Sequence, residues 1–179
     1  DSVYHLSFAF PHTESFLRFD FTGMLSTPGT DESWGLDNVE VSLQTTQTVW
    51  SVSRDFSTTA NPGGAWSYGW APTRGGELHL YPHHFVGCCG GLDGWDDPAI
   101  VSSGAPGTAY NGTGAVQQPL GFPFAPGAVI FHPGQNGENS VFRWTAPASG
   151  SIDITTVFSG FDGATTDVAV LHGRMSTDL

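Results

Sequence analysis

The feature that most restricts the fold of this chain is a two-residue alternation of large apolar and polar side chains in short runs. In SVYHLSFAF and SFLRFDF, the alternating positions that fall on one face are Tyr4, Leu6, Phe8 and Phe10, and then Leu17, Phe19 and Phe21. This period is typical of half-buried β-strands, and no helical period is sustained over about ten residues. The chain is therefore predicted to be all-β, an antiparallel β-sandwich or jelly roll.

Composition supports this prediction. The 179 residues include 24 glycines and 12 prolines, aromatic residues make up 13% and charged residues only 12%. Such a composition favours many short strands joined by tight turns. Between residues 73 and 126 a glycine- and proline-rich stretch has few periodic runs, which indicates elaborated loops of the kind that often carry function.

The order of the runs suggests parts of two modules. The short connection at Pro11 to Glu14 predicts a hairpin between the first two strands, and the alternation of Val39, Val41 and Leu43 predicts a third strand. The polar, uncharged stretch 44–48 is typical of a linker. We therefore expect residues 1–43 to be the closing strands of one module and residues 49–179 to be a second β-sandwich module, incomplete at its C-terminus.

Charge narrows the classes of partner. The chain has 17 Asp and Glu residues against five cations, which gives a formal net charge of -12. Nucleic acids and anionic membranes are disfavoured as partners because both require a basic face. No window reaches the roughly 18 apolar residues that a membrane span requires. Cations and neutral glycans fit the composition better.

Two segments resemble known modules. HTESFLRFDFTGML followed by DESWGLDNVEVSL resembles the closing strands of galactose-binding-like and carbohydrate-binding jelly-roll modules in large exported bacterial proteins. The segment from DFSTTANPGGAWSYGW, through GWDDP and YNGTG, to DVAVLHG resembles the front part of a second module from similar proteins, many of which carry PEP-CTERM sorting tails.

The resemblance implies a non-catalytic bacterial protein that is secreted or at the cell surface. It also implies further strands before residue 1 and after residue 179, so that the chain would be a piece of a longer polypeptide. If the chain is complete, open sheet edges would pair with another subunit by strand addition, which favours a filament or matrix.

A calcium site is one interpretation of the acidic stretch DESWGLDNVEVSL. Asp31, Glu32 and Asp37 offer oxygen ligands beside a strand, and carbohydrate-binding jelly rolls often hold a structural calcium near their last strand. The alternative is that Asp37 and Asn38 cap the loop through hydrogen bonds to its backbone. A glycosidase pair is disfavoured because neighbouring carboxylates do not face each other across a cleft.

Histidines, thiols and carboxylates gather in the stretch LHLYPHHFVGCCGGLDGWDD. His79, His83 or His84 with Cys88 would suit zinc or copper, although Pro82 excludes a helical pair of histidines. The simpler interpretation is that these are loop histidines and small buried thiols without a metal. Asp93, Asp96 and Asp97 in the same stretch could instead bind calcium.

Cys88 and its neighbour Cys89 are the only cysteines, so no long-range disulfide can form within this chain. A bridge between adjacent cysteines closes a small strained ring and is uncommon. Free thiols and an intermolecular disulfide remain open as alternatives.

Three further features of the sequence, two aromatic and one a sequon, suggest contacts with glycans. Trp66, Tyr68 and Trp70 could stack on sugar rings, but their two-residue period favours packing in the core. Trp95 follows glycines and is predicted to be an exposed stacking residue that binds ligand. Asn111 begins the sequon Asn-Gly-Thr in a glycine-rich setting and is a candidate glycosylation site.

No nucleophile elbow, phosphate-binding loop or ordered catalytic triad is present in the sequence. We therefore expect a structural component of a surface layer, filament or matrix rather than an enzyme. The alternatives are a carbohydrate-binding module, with or without calcium, and an accessory domain of a larger secreted enzyme.

Overall fold

The structure is a computed structural model that describes residues 3–13, 16–24, 34–43, 48–101, 105–160 and 166–173. Within these ranges the strands are β1 (Val3–Phe10), β2 (Arg18–Met24), β3 (Trp34–Leu43), β4 (Thr48–Ser51), β5 (Trp66–Ala71), β6 (His79–Leu80) and β7 (His83–Gly87). They continue with β8 (Leu92–Asp96), β9 (Gly107–Tyr110), β10 (Val129–His132), β11 (Asn139–Thr145), β12 (Ile152–Gly160) and β13 (Asp167–Gly173). A short turn, Cys88–Gly91, whose Cys89 and Gly90 lie outside the right-handed helical region, joins β7 to β8.

The strands form two antiparallel sheets, which confirms the predicted all-β sandwich. The first sheet has the order β1-β12-β3-β10-β9-β8-β7. The edge of β3 that faces away from β12 pairs with β10 at residues 34–36 and with β4 at residues 40–43. The second sheet has the order β13-β2-β11-β5-β6. No helix within the described ranges is both long enough and apolar enough to span a membrane.

The predicted division into parts of two modules is wrong, because strands from both sides of residues 44–48 share both sheets. β12 pairs with β1 on one side and with β3 on the other, and β11 pairs with β2. The early strands therefore complete the sheets of the later ones rather than close a separate module. Residues 44–47 of the predicted linker lie outside the described ranges.

The predicted hairpin between the first two strands is also wrong. β1 lies in the first sheet and β2 lies in the second, so the chain crosses from one sheet to the other between Phe10 and Arg18. The two strands still pack face to face, because the ring of Phe10 lies 5.6 Å from the ring of Phe19. Apolar alternation is the same for strands paired side by side and for strands stacked face to face, so the pattern alone did not distinguish them.

The core lies between the two sheets and is rich in aromatic rings. Trp66 and Tyr68 of β5 are fully buried, as are Phe142 and Trp144 of β11 and Phe21 of β2. Burying a large apolar side chain of this kind stabilises a fold by about 1.5–3 kcal/mol. Core packing, the favoured interpretation of Trp66 and Tyr68, is thus confirmed.

A charged cluster joins β2 to β11 on the opposite face of the second sheet. Asp20 is buried and accepts two hydrogen bonds from the guanidinium of Arg143, at 2.5 and 3.1 Å. Arg18 lies 3.2 Å from the same carboxylate. Burial lowers the pKa of Arg18, and the charge of Asp20 opposes that shift. One buried carboxylate therefore compensates two partly buried cations across the strand pair.

Candidate functional site

The predicted calcium ligands are only partly covered by the structure. Asp31 and Glu32 lie outside the described residues, whereas Asp37 is exposed in β3 and its Oδ1 accepts a hydrogen bond of 2.8 Å from the backbone N–H of Asn38. Asn38 has a φ of 52° at a register shift between β3 and β12. Asp37 thus supports a β-bulge, where a left-handed Asn is common. The calcium site stays a prediction.

Asn111 is buried, and this contradicts its interpretation as an exposed glycan acceptor. Its Nδ2 donates hydrogen bonds to the carbonyl oxygens of Ala115, Phe124 and Ala125, at 2.8, 2.9 and 3.1 Å. Its Oδ1 accepts from the backbone N–H and the hydroxyl of Thr113. The nitrogen that would carry a sugar is therefore occupied inside the fold, and the sequon serves to hold a loop.

Trp95 is also buried, at 6% exposure, so the predicted exposed stacking residue is wrong. Its Nε1 donates to the carbonyl oxygen of Ser57 at 2.8 Å, and its ring packs 5.0 Å from that of His84. The prediction of exposure depended on the neighbouring Gly94, which is typical of a loop. A Cβ on Gly94 would lie 2.0 Å from the carbonyl oxygen of Thr108, so this glycine permits close strand packing rather than a loop.

The histidines and carboxylates of residues 78–97 are engaged in separate local contacts. His83 bonds to Asp96 across the β7–β8 pair, with 2.7 Å between Nδ1 and Oδ1. His79 stacks on Trp70 at 4.5 Å, and the Nε1 of this half-buried tryptophan lies 3.4 Å from Asp97. Within the described ranges, no three His, Cys, Asp or Glu residues are placed to hold one metal ion.

An open sheet edge is the first feature with a geometry suited to function. β1 pairs with β12 only, and among the described strands nothing pairs with its other side. Two of its inward-facing rings remain uncovered, since Tyr4 is 53% exposed and Phe8 is 39% exposed. No residue of VYHLSFAF is charged when His5 is neutral.

The reason for the exposure is that both sheets end at this side of the sandwich. The second sheet ends at β13, and a cleft of about 240 Å³ opens between the two edge strands. Tyr4 and Leu6 form one wall of this cleft, and Thr166, Asp167 and Val168 form the other. Sequence reasoning predicted open edges, but the exposed face of β1 was indistinguishable from its buried neighbours.

A second concave surface lies between the end of β4 and the start of β5. Its volume is about 760 Å³, and residues 49–66 supply its lining. Trp50 is half-buried there. Arg54 donates two hydrogen bonds to the carboxylate of Asp55, with Nε–Oδ1 and Nη2–Oδ2 distances of 2.8 and 3.1 Å. Trp66 also lines the surface, and its Nε1 has no hydrogen-bond partner among the described residues.

Comparisons of this chain with protein-family models, with curated proteins and with solved structures found no match.

Proposed function

We propose that this chain is a non-catalytic structural module of an extracellular bacterial assembly, secreted or displayed at the cell surface, and that copies associate by strand addition at β1. The observation that supports the proposal is the open edge of β1, eight residues long and carrying two exposed aromatic rings. An edge strand offers unpaired N–H and C=O groups to any strand that can lie beside it.

β1 lacks the features that usually protect such an edge. Charged side chains, prolines and very short length discourage edge pairing, and the first proline after Val3 is Pro11, just beyond the strand. The other long edge, β13, begins with Asp167, which faces Arg74 at 3.6 Å. The chain as a whole carries a formal charge of -12, which opposes random contact between copies. Of the two long edge strands described, β1 is the one without an Asp, Glu, Lys or Arg side chain.

Two copies of β1 can pair antiparallel about a two-fold axis perpendicular to the sheet. Such an axis places the inner faces of the first sheets of the two copies on the same side. Residues that lie opposite each other in the new strand pair must therefore belong to the same face. When Leu6 lies opposite Leu6 of the second copy, Tyr4 lies opposite Phe8, and this pair occurs twice. Aromatic pairs across strands add about 0.2–1 kcal/mol each to sheet pairing.

A charge placed on the edge tests the proposal. We expect the wild-type chain to form concentration-dependent dimers in sedimentation velocity, more strongly at high salt because screening weakens the repulsion. Phe8→Lys should abolish them, because a lysine would sit in the new aromatic pair. Val116→Lys is the matched control, since Val116 is 56% exposed and lies outside β1.

Equal association of Phe8→Lys and Val116→Lys would refute β1 as the contact. A wild-type chain that stays monomeric at the highest soluble concentration and at high salt would refute assembly by this chain.

Carbohydrate binding is a second candidate because of the cleft beside Trp50. An indole and the paired Arg54 and Asp55 combine an apolar ring with hydrogen-bonding groups, the usual contents of a sugar site. A glycan array with wild type, Arg54→Ala and the exposed control Arg74→Ala tests it. Binding that is lost only in Arg54→Ala would support the site, and the absence of any retained glycan would rule it out.

A further inference from the structure

The hairpin tip between β7 and β8 is an unusual turn that holds both cysteines. Gly87, Cys89, Gly90 and Gly91 all have positive φ, at 67°, 52°, 98° and 102°. For Cys89 this conformation is rare, because a side chain normally disfavours the left-handed region. The glycines on both sides of Cys89 adopt their positive φ angles at little steric cost, so that the chain can reverse its direction between β7 and β8.

The turn is held at its base. The backbone N–H of Gly87 donates to Oδ1 of Asp93 at 2.9 Å, and Cys88 forms a β-bridge with Leu92. The tip is open at Gly87, where a Cβ would have no heavy atom within 4 Å, whereas a Cβ on Gly91 would lie 3.4 Å from Thr113. Cys89 is exposed in this constrained turn, with the half-buried Cys88 beside it.

The sulfur atoms of the two cysteines are in direct contact. Their Sγ atoms lie 2.6 Å apart, which is shorter than a thiol–thiol hydrogen bond and longer than a disulfide bond. Cys88 is half-buried and Cys89 is exposed, and both are free thiols. Burial, and then the adjacent thiol of Cys89, raise the pKa of Cys88 to about 12. Cys88 thus keeps its proton, while Cys89 is the sulfur that a reagent reaches first.

We propose that Cys88 and Cys89 form a peroxide-sensitive dithiol that closes reversibly to a disulfide between adjacent residues. This inference is independent of the assembly proposed above, since the hairpin tip lies at the far end of the first sheet from β1.

The reaction balances with hydrogen peroxide as the oxidant. The Cys89 thiolate attacks one peroxide oxygen, the O–O bond breaks, and Cys89 becomes a sulfenic acid while hydroxide leaves and takes up a proton. The sulfur of Cys88 then attacks the sulfenic sulfur, an S–S bond forms, the S–O bond breaks, and a second water leaves with the Cys88 proton. Two thiols lose two electrons in total, and the peroxide gains them.

Geometry explains why this bond would be reversible. Adjacent Cα atoms are about 3.8 Å apart across a trans peptide, whereas disulfides usually join Cα atoms about 4.4–6.8 Å apart. A bridge at this spacing is strained, and strained exposed disulfides are the readily reduced ones. The glycines of the turn give its backbone the conformational freedom to adjust to the bridge.

Intact mass and thiol counting on the full chain test the proposal. After a modest excess of hydrogen peroxide, we expect the monomer to lose both thiols and the mass of two hydrogen atoms, and dithiothreitol should restore both. Cys88→Ser should instead carry added oxygen on Cys89, and Cys89→Ser should keep its thiol several-fold longer than wild type. Circular dichroism of both variants checks that the fold is retained.

Three results would overturn the proposal. They are oxygen added to wild type without loss of hydrogen, a disulfide-linked dimer in place of the monomeric product, and equal peroxide sensitivity of the two single variants.

Discussion

Asn111→Asp is a single-atom test of how the buried amide holds its loop. The change keeps the volume of the side chain but replaces the NH₂ group, which donates to three carbonyl oxygens at 2.8, 2.9 and 3.1 Å, by an oxygen that donates nothing. Each lost hydrogen bond costs about 1 kcal/mol, and a charged carboxylate buried among carbonyl oxygens adds to that cost. We expect the free energy of unfolding at pH 7 to fall by about 4 kcal/mol, combining both effects.

The deficit should depend on pH with a defined sign. Carbonyl oxygens around the introduced carboxyl disfavour its charged form, so its pKa in the folded state is raised above the unfolded value of about 3.9. The protonated acid can still donate one hydrogen bond. The variant should therefore lose least below about pH 4, and the deficit should grow as pH rises through the raised folded-state pKa.

Urea unfolding followed by tryptophan fluorescence measures the effect. With a slope of about 2 kcal/mol per molar urea, a loss of about 4 kcal/mol lowers the midpoint by about 2 M. Gln118→Glu is the control, because it makes the same amide-to-acid change at an exposed side chain. A loss at position 111 below about 1 kcal/mol, or equal to that of the control, would refute the assigned role of the amide.

Three other changes test the fold. Asp20→Asn should lower the free energy of unfolding by about 3 kcal/mol in urea, since it leaves two partly buried guanidinium groups without a carboxylate, whereas Asp167→Asn at an exposed pair should cost below about 0.5 kcal/mol. Trp95→Phe should lower the free energy of unfolding by about 1 kcal/mol through loss of the bond to Ser57, measured in urea, with no change in glycan binding. Burial raises the pKa of Tyr81 above its ordinary value, so stability should fall as pH rises beyond about 10, and Tyr81→Phe should flatten that fall in alkaline unfolding curves.

Residue periodicity predicted the strands because burial of one face is decided locally. The alternation around Phe19, Phe21, Trp66 and Tyr68 appears unchanged in the sheets, with these four side chains in the core. The pattern says which face of a strand is apolar, and the physical reason is the two-residue pleat. It says nothing about which strand lies beside it.

Strand partners were not predictable for that reason. β1 pairs with β12, with Phe8 opposite Ile154, and most of the chain lies between them. The entropy of closing such a loop rises only slowly with its length, so a distant partner costs little more than a near one. The sequence favours a local hairpin and a module boundary at residues 44–48. The inner faces of the two sheets are buried, however, by pairing the early strands β1, β2 and β3 with the late strands β11 and β12.

The mistaken site residues share a physical cause, which also explains why the sequence did not distinguish the exposed face of β1 from a buried one. Glycines beside Trp95 and Asn111 suggest exposed loops, yet Gly94 is required because Thr108 and Phe85 leave no room for a Cβ. Conversely, Tyr4 and Phe8 have the alternation of core residues and remain uncovered because the facing sheet ends at β13. Exposure in a sandwich is decided by where the sheets stop, which is a property of the strand order. Functional surfaces of such a chain should therefore be sought among its apolar edge residues before its polar loops.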